Sequence, residues 1–189
     1  MRLRSARVGI AGVGGLGSHV AVALARSGVG GLVLADFDRV ETGNLARQYY
    51  FIDQVGEPKV AALAATLKRI NPETRVETHC RRLQAADLPG VFSGVEVMVE
   101  AFDRADQKAL LVSSFLSRCP EIPLVAASGA AGWEPAGMIR TRRAAKNLYL
   151  CGDEASAVGP ATPLCAARVG IVAHHQALAV VRLLLGLEP

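Results

Sequence analysis

Three glycines and one aspartate near the start of the chain have the types and spacing to hold a phosphate and a sugar. Gly12, Gly14 and Gly17 follow a short apolar run and precede an alanine-rich segment. In a turn from a strand into a helix, the first glycine allows a tight bend, the second lets backbone approach a phosphate, and the third lets the helix pack closely on the sheet. Asp36 follows Gly17 by nineteen residues, at the predicted end of the next strand, where a carboxylate accepts hydrogen bonds from ribose hydroxyls. The pattern predicts a nucleotide site and leaves NAD and ATP both open.

Cations in the loop after Asp36 favour ATP. Lys59 directly follows Pro58, in the predicted first turn of a helix, where a cation opposes the helix dipole. A bound anion would offset that cost, and Arg47 and Lys59 together could neutralise a triphosphate. The pyrophosphate of NAD is usually bound by the glycine turn alone, so an NAD site would leave both cations without a role.

Asp103 supplies a second carboxylate. It follows a predicted strand and so lies at the carboxyl edge of the sheet, where open α/β sheets bind their ligands. A carboxylate at this place could hold Mg²⁺ against the phosphates. The alternative role, capping the next helix, suits Asp106 better.

Alternating apolar patterns predict the elements that place these residues. Strands are expected over residues 7–13, 31–37, 75–80, 95–101 and 124–127, and helices over 17–27, 58–70 and 106–117. This order predicts an α/β fold, a Rossmann-like, doubly wound, mostly parallel sheet with helices on both faces. After Gly129 a loosely alternating segment predicts a C-terminal antiparallel extension, followed by a long helix over residues 163–185. A chain of 189 residues is expected to form a single domain, residues 1–189.

Composition limits the class of partner. The chain has 21 basic and 17 acidic residues, a net charge of +4, and its pI is near 9.1. The excess suits an anionic ligand, but it is spread along the chain without interleaved aromatic residues, so nucleic acid is not an expected partner. Charged residues make up only 20% of the chain and the mean hydropathy is +0.28, which favours a covered surface. The simplest explanation is a homodimer, in which a second subunit covers part of the surface.

Cysteine spacing and the apolar segments bear on metals and location. The four cysteines form no CxxC pair, so no zinc is expected. Polar residues interrupt the last apolar segment, so we expect no membrane span, and the first residues lack the pattern of a signal peptide. We therefore expect a cytoplasmic protein.

Taken together, the motifs resemble the ThiF/MoeB/HesA superfamily, to which the ubiquitin-activating enzymes also belong. GVGGLGS, the ADFD end of the second strand, VETGNLARQ, GEPK and the aspartate of EAFD occur in the order and spacing of that superfamily, over about residues 5–130. The tail, with KNLYLCGD and GPATPLCAARVG, looks like that of the short ThiF-like proteins associated with thiamine biosynthesis.

The resemblance implies an adenylyltransferase that uses ATP and Mg²⁺. Its expected substrate is the C-terminal glycine carboxylate of a small ubiquitin-like sulfur carrier protein ending in Gly-Gly, similar to ThiS, which supplies sulfur for the thiazole of thiamine. The residues it implies are Gly15 and Asp36 on the nucleotide beside Gly12, Gly14 and Gly17 of the turn, Asn44, Arg47 and Lys59 on the phosphates, and Asp103 on magnesium, with Arg47, Lys59 and Asp103 as the catalytic set. The carboxylate attacks the α-phosphorus and pyrophosphate leaves, and no general base is needed because a carboxylate is ionised at neutral pH.

The chain departs from the superfamily pattern in places. Larger relatives resembling MoeB carry two CxxC pairs and an amino-terminal arginine that reaches across the dimer, for which Arg2 or Arg4 would have to substitute. Cys151, in a predicted loop, is the most plausible acceptor of sulfur or carrier, but inert thiols are the more common case, so it is left out of the catalytic set. Trp133 is expected either to line the groove for the carrier tail or to pack in the core.

Other functions stay open from the sequence. An NAD-dependent oxidoreductase would need a catalytic acid or base that is not recognisable after the fourth strand. Adenylation of another acceptor, such as a modified tRNA base or a peptide, would use the same nucleotide site. A nucleotide-sensing subunit without turnover would keep the site and lose the chemistry. The adjacent His174 and His175 point about 100° apart on a helix, so packing is expected of them rather than joint metal binding.

Overall fold

The computed structural model describes residues 2–189, which contain a seven-stranded sheet. The strands are β1 (Arg7–Ala11), β2 (Gly31–Asp36), β3 (Arg75–Cys80), β4 (Val97–Glu100), β5 (Leu124–Ala127), β6 (Arg140–Ala145) and β7 (Leu148–Gly152). Their order across the sheet is β3-β2-β1-β4-β5-β7-β6. Every pair of neighbours is parallel except β6 and β7, which are antiparallel. The predicted Rossmann-like sheet with an antiparallel extension is confirmed.

Helices cover both faces of the sheet. They are α1 (Arg2–Ser5), α2 (Gly15–Arg26), α3 (Lys59–Ile70), α4 (Leu88–Val91), α5 (Ala105–Arg118) and α6 (Ala166–Leu184). One apolar cluster joins the sheet to α2, α3 and α6, and a second joins it to α4 and α5. Helix α6 packs against α2 and against β4, β5 and β7, so the last helix lies under the middle of the sheet. Of the helices within residues 2–189, none combines the length and the apolarity needed to cross a bilayer.

Three short features differ from the sequence prediction. Helices α1 and α4 are four residues each, too short to leave a periodic apolar pattern, and α4 contains Pro89 and Gly90, which favour a loop assignment. The N-cap of α5 is Arg104, and Asp106 in the first turn binds that arginine instead of capping the helix. The last helix begins at Ala166 and not at residue 163.

The strand order fixes where a ligand can bind. Strands β1 and β4 are neighbours, and their connections leave in opposite directions, so a crevice opens at their carboxyl ends. Gly12 lies at its edge with φ of +84°, and a Cβ there would lie 2.9 Å from the carbonyl oxygen of Ala101. Both facts require glycine, because other residues rarely adopt this conformation and have no room for a side chain here.

Candidate active site

The crevice is a cavity of about 570 Å³ that brings most of the predicted residues together. Its walls include Gly12, Gly14, Gly15, Asp36, Arg47, Lys59 and Asp103. Gly17 and Asn44, the two other predicted residues, are not on the walls. The residues come from the turns after β1 and β4, the end of β2, the loop before α3 and the first residues of α2 and α3. Positions far apart in the sequence therefore meet at one edge of the sheet.

The glycine turn has the shape expected of a phosphate cradle. Helix α2 begins at Gly15, so its first free N–H groups lie beside the cavity, where an anion is favoured. A Cβ on Gly17 would lie 1.9 Å from the carbonyl oxygen of Gly12; Gly17 therefore acts by letting the turn pack tightly, and not by touching a ligand. Ser18 stabilises the turn, because its hydroxyl donates to the carbonyl of Gly14 at 2.6 Å.

The carboxylate of Asp36 both shapes the turn and faces the cavity. Its Oδ2 accepts the N–H of Val13 at 2.8 Å, and its Oδ1 accepts the N–H of Asp38 at 2.9 Å. Burial raises the pKa of Asp36 above its ordinary value, and the two N–H groups and Lys59 oppose that shift. Each oxygen keeps a lone pair for a further donor, as a ribose hydroxyl would be.

Lys59 is buried, with 6% of its surface exposed, and its ammonium is paired within the chain. Its Nζ lies 2.8 Å from Oδ2 of Asp38. Asp38 thus supplies an anion that offsets a lysine at the start of a helix, so the position of Lys59 does not by itself require a bound anion. Asp38 was missed, although its spacing of two residues from Asp36 puts both carboxylates on one side of an extended chain.

Arg47 and Asn44 have different places in the loop before α3. Arg47 lines the cavity, and its guanidinium donates one hydrogen bond, to the carbonyl of Gly43 at 3.2 Å, which leaves most of its N–H groups available to an anion. Asn44 is used by the loop itself, because its Oδ1 accepts the N–H of Glu41 at 3.0 Å in a capping box. Its predicted contact with phosphates has no support from this geometry.

Tyr50 ties the same loop to the glycine turn, a role that was not predicted, and Gln48 of that loop lies on the cavity wall. The buried Tyr50 hydroxyl donates to the carbonyl of Val13 at 2.7 Å, which fixes the loop to the turn. Gln48 lines the cavity beside Gly14, and its Oε1 is buried without a hydrogen-bond partner within residues 2–189. An unpartnered amide on a cavity wall is a place where a ligand completes the hydrogen bonding.

On the other side of the cavity, Asp103 is exposed at the tip of the turn after β4. The turn is held by the fully buried Glu100, which accepts from Lys108 Nζ at 2.8 and 3.0 Å and from the N–H of Phe102 at 2.7 Å. Burial raises the pKa of Glu100, and Lys108 opposes that shift. The carboxylate of Asp103 has no ion pair among the residues that the structure describes, so it is available to a cation.

The far wall depends on a buried ion pair that the sequence did not suggest. Arg168 of α6 donates from Nη2 to the carboxylate of Asp153 and from Nη1 to the carbonyl of Glu134. Oδ1 of Asp153 also accepts the N–H groups of Ala155 and Ser156 at 2.9 and 2.8 Å. Burial raises the pKa of Asp153, but these donors outweigh it and hold the pKa below its ordinary value. The pair thereby shapes the loop that carries Ser156 and the next residues along the cavity wall.

Other candidates from the sequence lie elsewhere. Cys151 is fully buried in β7 and not in a loop, and burial raises the pKa of its thiol to about 11, which makes it a poor nucleophile. Trp133 is 69% exposed, so it does not pack in the core. His175 faces Thr141 at 3.0 Å, whereas His174 is exposed and bonds to the carbonyl of Gly170; the two histidines do not share a ligand position.

Arg2 and Arg4 lie at the amino ends of the strands, whereas the cavity of the same chain lies at the carboxyl ends. Arg2 binds the carbonyl of Leu184 and Glu96, and Arg4 pairs with Glu73 at 3.6 Å. Glu96 precedes β4 and Glu73 precedes β3, which places both pairs at the amino ends of strands.

Comparison with known proteins gives one family and a consistent fold. A model described as the ThiF family matches residues 1–189. Ubiquitin-like modifier-activating enzyme 5 of Drosophila sechellia is 51% identical over 78 residues, 41% of this chain and 19% of that protein. The matched segment thus spans about a fifth of the length of such curated relatives.

Solved structures cover nearly the whole chain. The E. coli tRNA N6-threonylcarbamoyladenosine dehydratase TcdA, in complex with ATP, superposes with a TM-score of 0.88 at 23% identity, over 97% of this chain and 87% of that one. E. coli MccB with ATP gives a TM-score of 0.73 at 24% identity, over 97% of this chain and 57% of that one. At such identities the likeness is one of fold.

Proposed function

The chain belongs to the ThiF family, and from that membership we propose that it is an ATP-dependent adenylyltransferase, folded as one domain. The observation that carries the proposal is the meeting of the α2 amino terminus, Arg47 and Lys59 on one cavity that also presents Asp36 and Asp103. Positive groups gather where phosphates would lie, and carboxylates stand where a ribose and a cation would lie. Solved relatives in complex with ATP, such as TcdA and MccB, support the choice of nucleotide.

Binding is proposed to follow the order of the strands. The phosphates lie on the free N–H groups of Gly14 and Gly15, with Arg47 and Lys59 as countercharges. The ribose hydroxyls donate to Asp36. This order places the phosphates against positive groups and the ribose hydroxyls against a hydrogen-bond acceptor.

A magnesium ion fits the residues present. Mg²⁺ is usually held by one or two carboxylates together with substrate phosphates, and within residues 2–189 no cluster of three ligating side chains forms a site of its own. Asp103 is an exposed carboxylate without an ion pair, beside the proposed phosphates. When bound, the ion would neutralise phosphate charge.

The reaction is proposed to be an in-line transfer. A carboxylate oxygen of the acceptor attacks the α-phosphorus, the bond from that phosphorus to the bridging oxygen breaks, and pyrophosphate leaves with the electron pair. Arg47 and Lys59 stabilise charge on the phosphates, and the rigid turn holds the two anions in line. The acceptor arrives already ionised, so no side chain has to remove a proton.

The proposed acceptor is the C-terminal glycine of a small ubiquitin-like sulfur carrier, similar to ThiS, in thiazole and thiamine synthesis. The name of the Drosophila relative supports a ubiquitin-like acceptor. The carrier and thiamine are the finer part of the proposal and rest on the tail motifs of the sequence. A cytoplasmic location belongs to the same proposal.

A homodimer is also proposed, through a surface formed by α2, α6 and the loop before α3. His174, His19, Tyr49 and Phe51 form a row of rings there, with centroid separations of 6.4, 5.4 and 6.5 Å. Leu178, one turn beyond His174, is 61% exposed. A row of rings and an exposed leucine is the kind of surface that a second subunit covers.

A second acceptor has one observation in its favour. The superposed TcdA is named as an enzyme of a modified tRNA base. A tRNA acceptor would use the same nucleotide cavity, so the choice between acceptors depends on activity with each and not on ATP binding.

Calorimetric titration with Mg-ATP and with NAD tests the nucleotide site first. We expect micromolar binding of Mg-ATP and much weaker binding of NAD. Arg47→Ala and Lys59→Met should each weaken Mg-ATP at least tenfold, since a hydrogen bond to a charged group contributes about 1.5–3 kcal/mol. Arg39→Ala is the matched control, because Arg39 lies in the same loop and donates to the carbonyl of Gly56, away from the cavity.

Binding of NAD alone would overturn the proposal. With ATP binding established, pyrophosphate exchange in the presence of a carrier ending in Gly-Gly, or of tRNA, identifies the acceptor. Binding without exchange across both kinds of acceptor would indicate a nucleotide-sensing subunit.

A further inference from the structure

An arginine and a phenylalanine at one end of the cavity form a stacked pair with no role in the phosphate chemistry. Phe37 directly follows Asp36, and Arg82 lies two residues beyond the end of β3. The Arg82 guanidinium carbon lies 4.3 Å from the centroid of the Phe37 ring. Both side chains line the cavity.

The pair is exposed in a way that its own packing does not explain. Phe37 is 47% exposed, although it follows a buried strand. Arg82 is exposed, and the structure gives its guanidinium no hydrogen bond or ion pair to any of residues 2–189. The neighbouring Arg81, by contrast, is paired with Asp87 at 2.9 Å. An aromatic ring and a free guanidinium, stacked on a cavity wall, present an apolar plane with a charge to whatever lies beside them.

The order of the strands indicates which part of a bound nucleotide would lie beside Arg82 and Phe37. Strands β1, β2 and β3 stand side by side in that order, about 4.8 Å apart. The glycine turn follows β1, Asp36 ends β2, and Arg82 follows β3. A nucleotide with its phosphates on the turn and its ribose on Asp36 therefore extends its base toward Arg82 and Phe37.

We propose that Arg82, whose guanidinium carbon lies over the Phe37 ring, binds the adenine base by stacking. This inference rests on the proposed function and adds the base-binding residues to it. A guanidinium is planar, weakly hydrated and stacks well on π systems, and a base on an aromatic or guanidinium plane gains affinity whatever its hydrogen-bonding edge. Phe37 is a positioning residue, because its ring fixes the plane of the guanidinium.

Two substitutions separate a plane from a charge. Arg82→Lys keeps the charge and removes the plane, whereas Arg82→Tyr keeps a plane and removes the charge. We expect calorimetry to give Mg-ATP affinity reduced roughly tenfold in Arg82→Ala and Arg82→Lys, and largely retained in Arg82→Tyr. Phe37→Leu should weaken Mg-ATP severalfold, because the guanidinium loses its support. Arg81→Ala, whose side chain is not on the cavity wall, should bind as the wild type does.

The opposite order of affinities would overturn the inference. If Arg82→Lys binds Mg-ATP as the wild type does and Arg82→Tyr does not, Arg82 contacts phosphate as a point charge. Equal binding by all Arg82 variants would show that the base lies elsewhere, with the proposed function unaffected. Failure of the wild type itself to bind Mg-ATP would remove the proposed function, and this inference with it. Circular dichroism of each variant checks the fold.

Discussion

The ammonium of Lys59 and the carboxylate of Asp38 lie 2.8 Å apart at the start of α3. Lys59 is buried, whereas the side chain of Asp38 is 47% exposed. The lysine is thus held at the cavity before any nucleotide arrives. A triphosphate would then share a cation that is already ordered, so little side-chain freedom is lost on binding.

Replacing Asp38 should weaken Mg-ATP binding less than replacing Lys59. In Asp38→Asn the ammonium keeps a neutral partner, and we expect Mg-ATP affinity to fall about fivefold. In Lys59→Met the charge is gone while the buried stem is retained, and affinity should fall at least tenfold, as a lost charge-assisted hydrogen bond requires. Calorimetry measures the Mg-ATP affinity of both variants. A larger loss of affinity in Asp38→Asn would mean that the carboxylate of Asp38, and not the ammonium of Lys59, contacts the ligand.

Asp103 should control the dependence of binding on magnesium. The wild type is expected to bind Mg-ATP more tightly than ATP in the presence of a chelator, because the ion needs a carboxylate as well as phosphate oxygens. Asp103→Ala should bind the two forms equally, keep its fold and lose pyrophosphate exchange. Asp106→Ala serves as the control, because Asp106 is an exposed aspartate three residues away whose carboxylate binds Arg104. Unchanged exchange in Asp103→Ala would remove the assignment.

Cys151 should behave as a structural thiol. Its pKa of about 11 and its full burial predict that iodoacetamide at pH 8 labels the exposed Cys80 at least tenfold faster, and labels Cys151 only after unfolding. Mass spectrometry after timed quenching gives both rates. Rapid labelling of Cys151 in the folded protein would contradict this and would make Cys151 a candidate acceptor in sulfur transfer.

The ion pair of Arg168 with Asp153 should dominate stability near the far wall. Arg168→Met leaves a buried carboxylate without its cation, which costs about 3–5 kcal/mol in the free energy of unfolding. Arg142→Met breaks the exposed pair with Glu154 and should cost at most about 1 kcal/mol. Urea unfolding of both variants measures the difference. Similar costs would show that burial adds nothing to the first pair.

The same aspartate predicts a response to acid. Its pKa is lower in the folded chain than in the unfolded chain, where it is 3.8. The unfolded state therefore binds the proton first, and the stability that Asp153 contributes is present above pH 3.8 and is lost as the pH falls below it. The urea midpoint of Asp153→Asn should fall less between pH 5 and pH 3 than that of the wild type. Parallel curves for the two proteins would contradict this.

Much of the site could be predicted because strand ends are local signals. Gly12 directly follows β1 and Asp36 ends β2, and parallel strands bring their carboxyl ends together whatever lies between them in the sequence. The close approach of Gly17 to the carbonyl of Gly12 follows from the same motif. For such residues a prediction of the fold is already a prediction of the site.

The rest depends on pairings that no local pattern specifies. Asn44 stands in a motif of polar residues, but the capping box with Glu41 uses its side chain in the loop. Arg168 and Asp153 read as ordinary charges in a sequence, and only the packing of α6 brings them together inside the protein. The stacking of Arg82 on Phe37 likewise joins the ends of two strands that are more than forty residues apart.

Gln176 belongs to the last helix, which completes the cavity after the strands of the sheet have been synthesised. From the buried face of α6 its amide donates to the carbonyl of Glu100, at 3.0 Å, and lies 3.4 Å from that of Val125, beneath the strands whose ends carry the cavity. On the ribosome, α6 is synthesised after every strand of the sheet, and early parts of a chain begin to fold first. The growing chain can therefore pair its strands while the floor and far wall of the cavity are still missing. Nucleotide binding is therefore expected to begin only when α6 has docked, because this helix supplies Val169 to the cavity wall and Arg168 to the ion pair with Asp153.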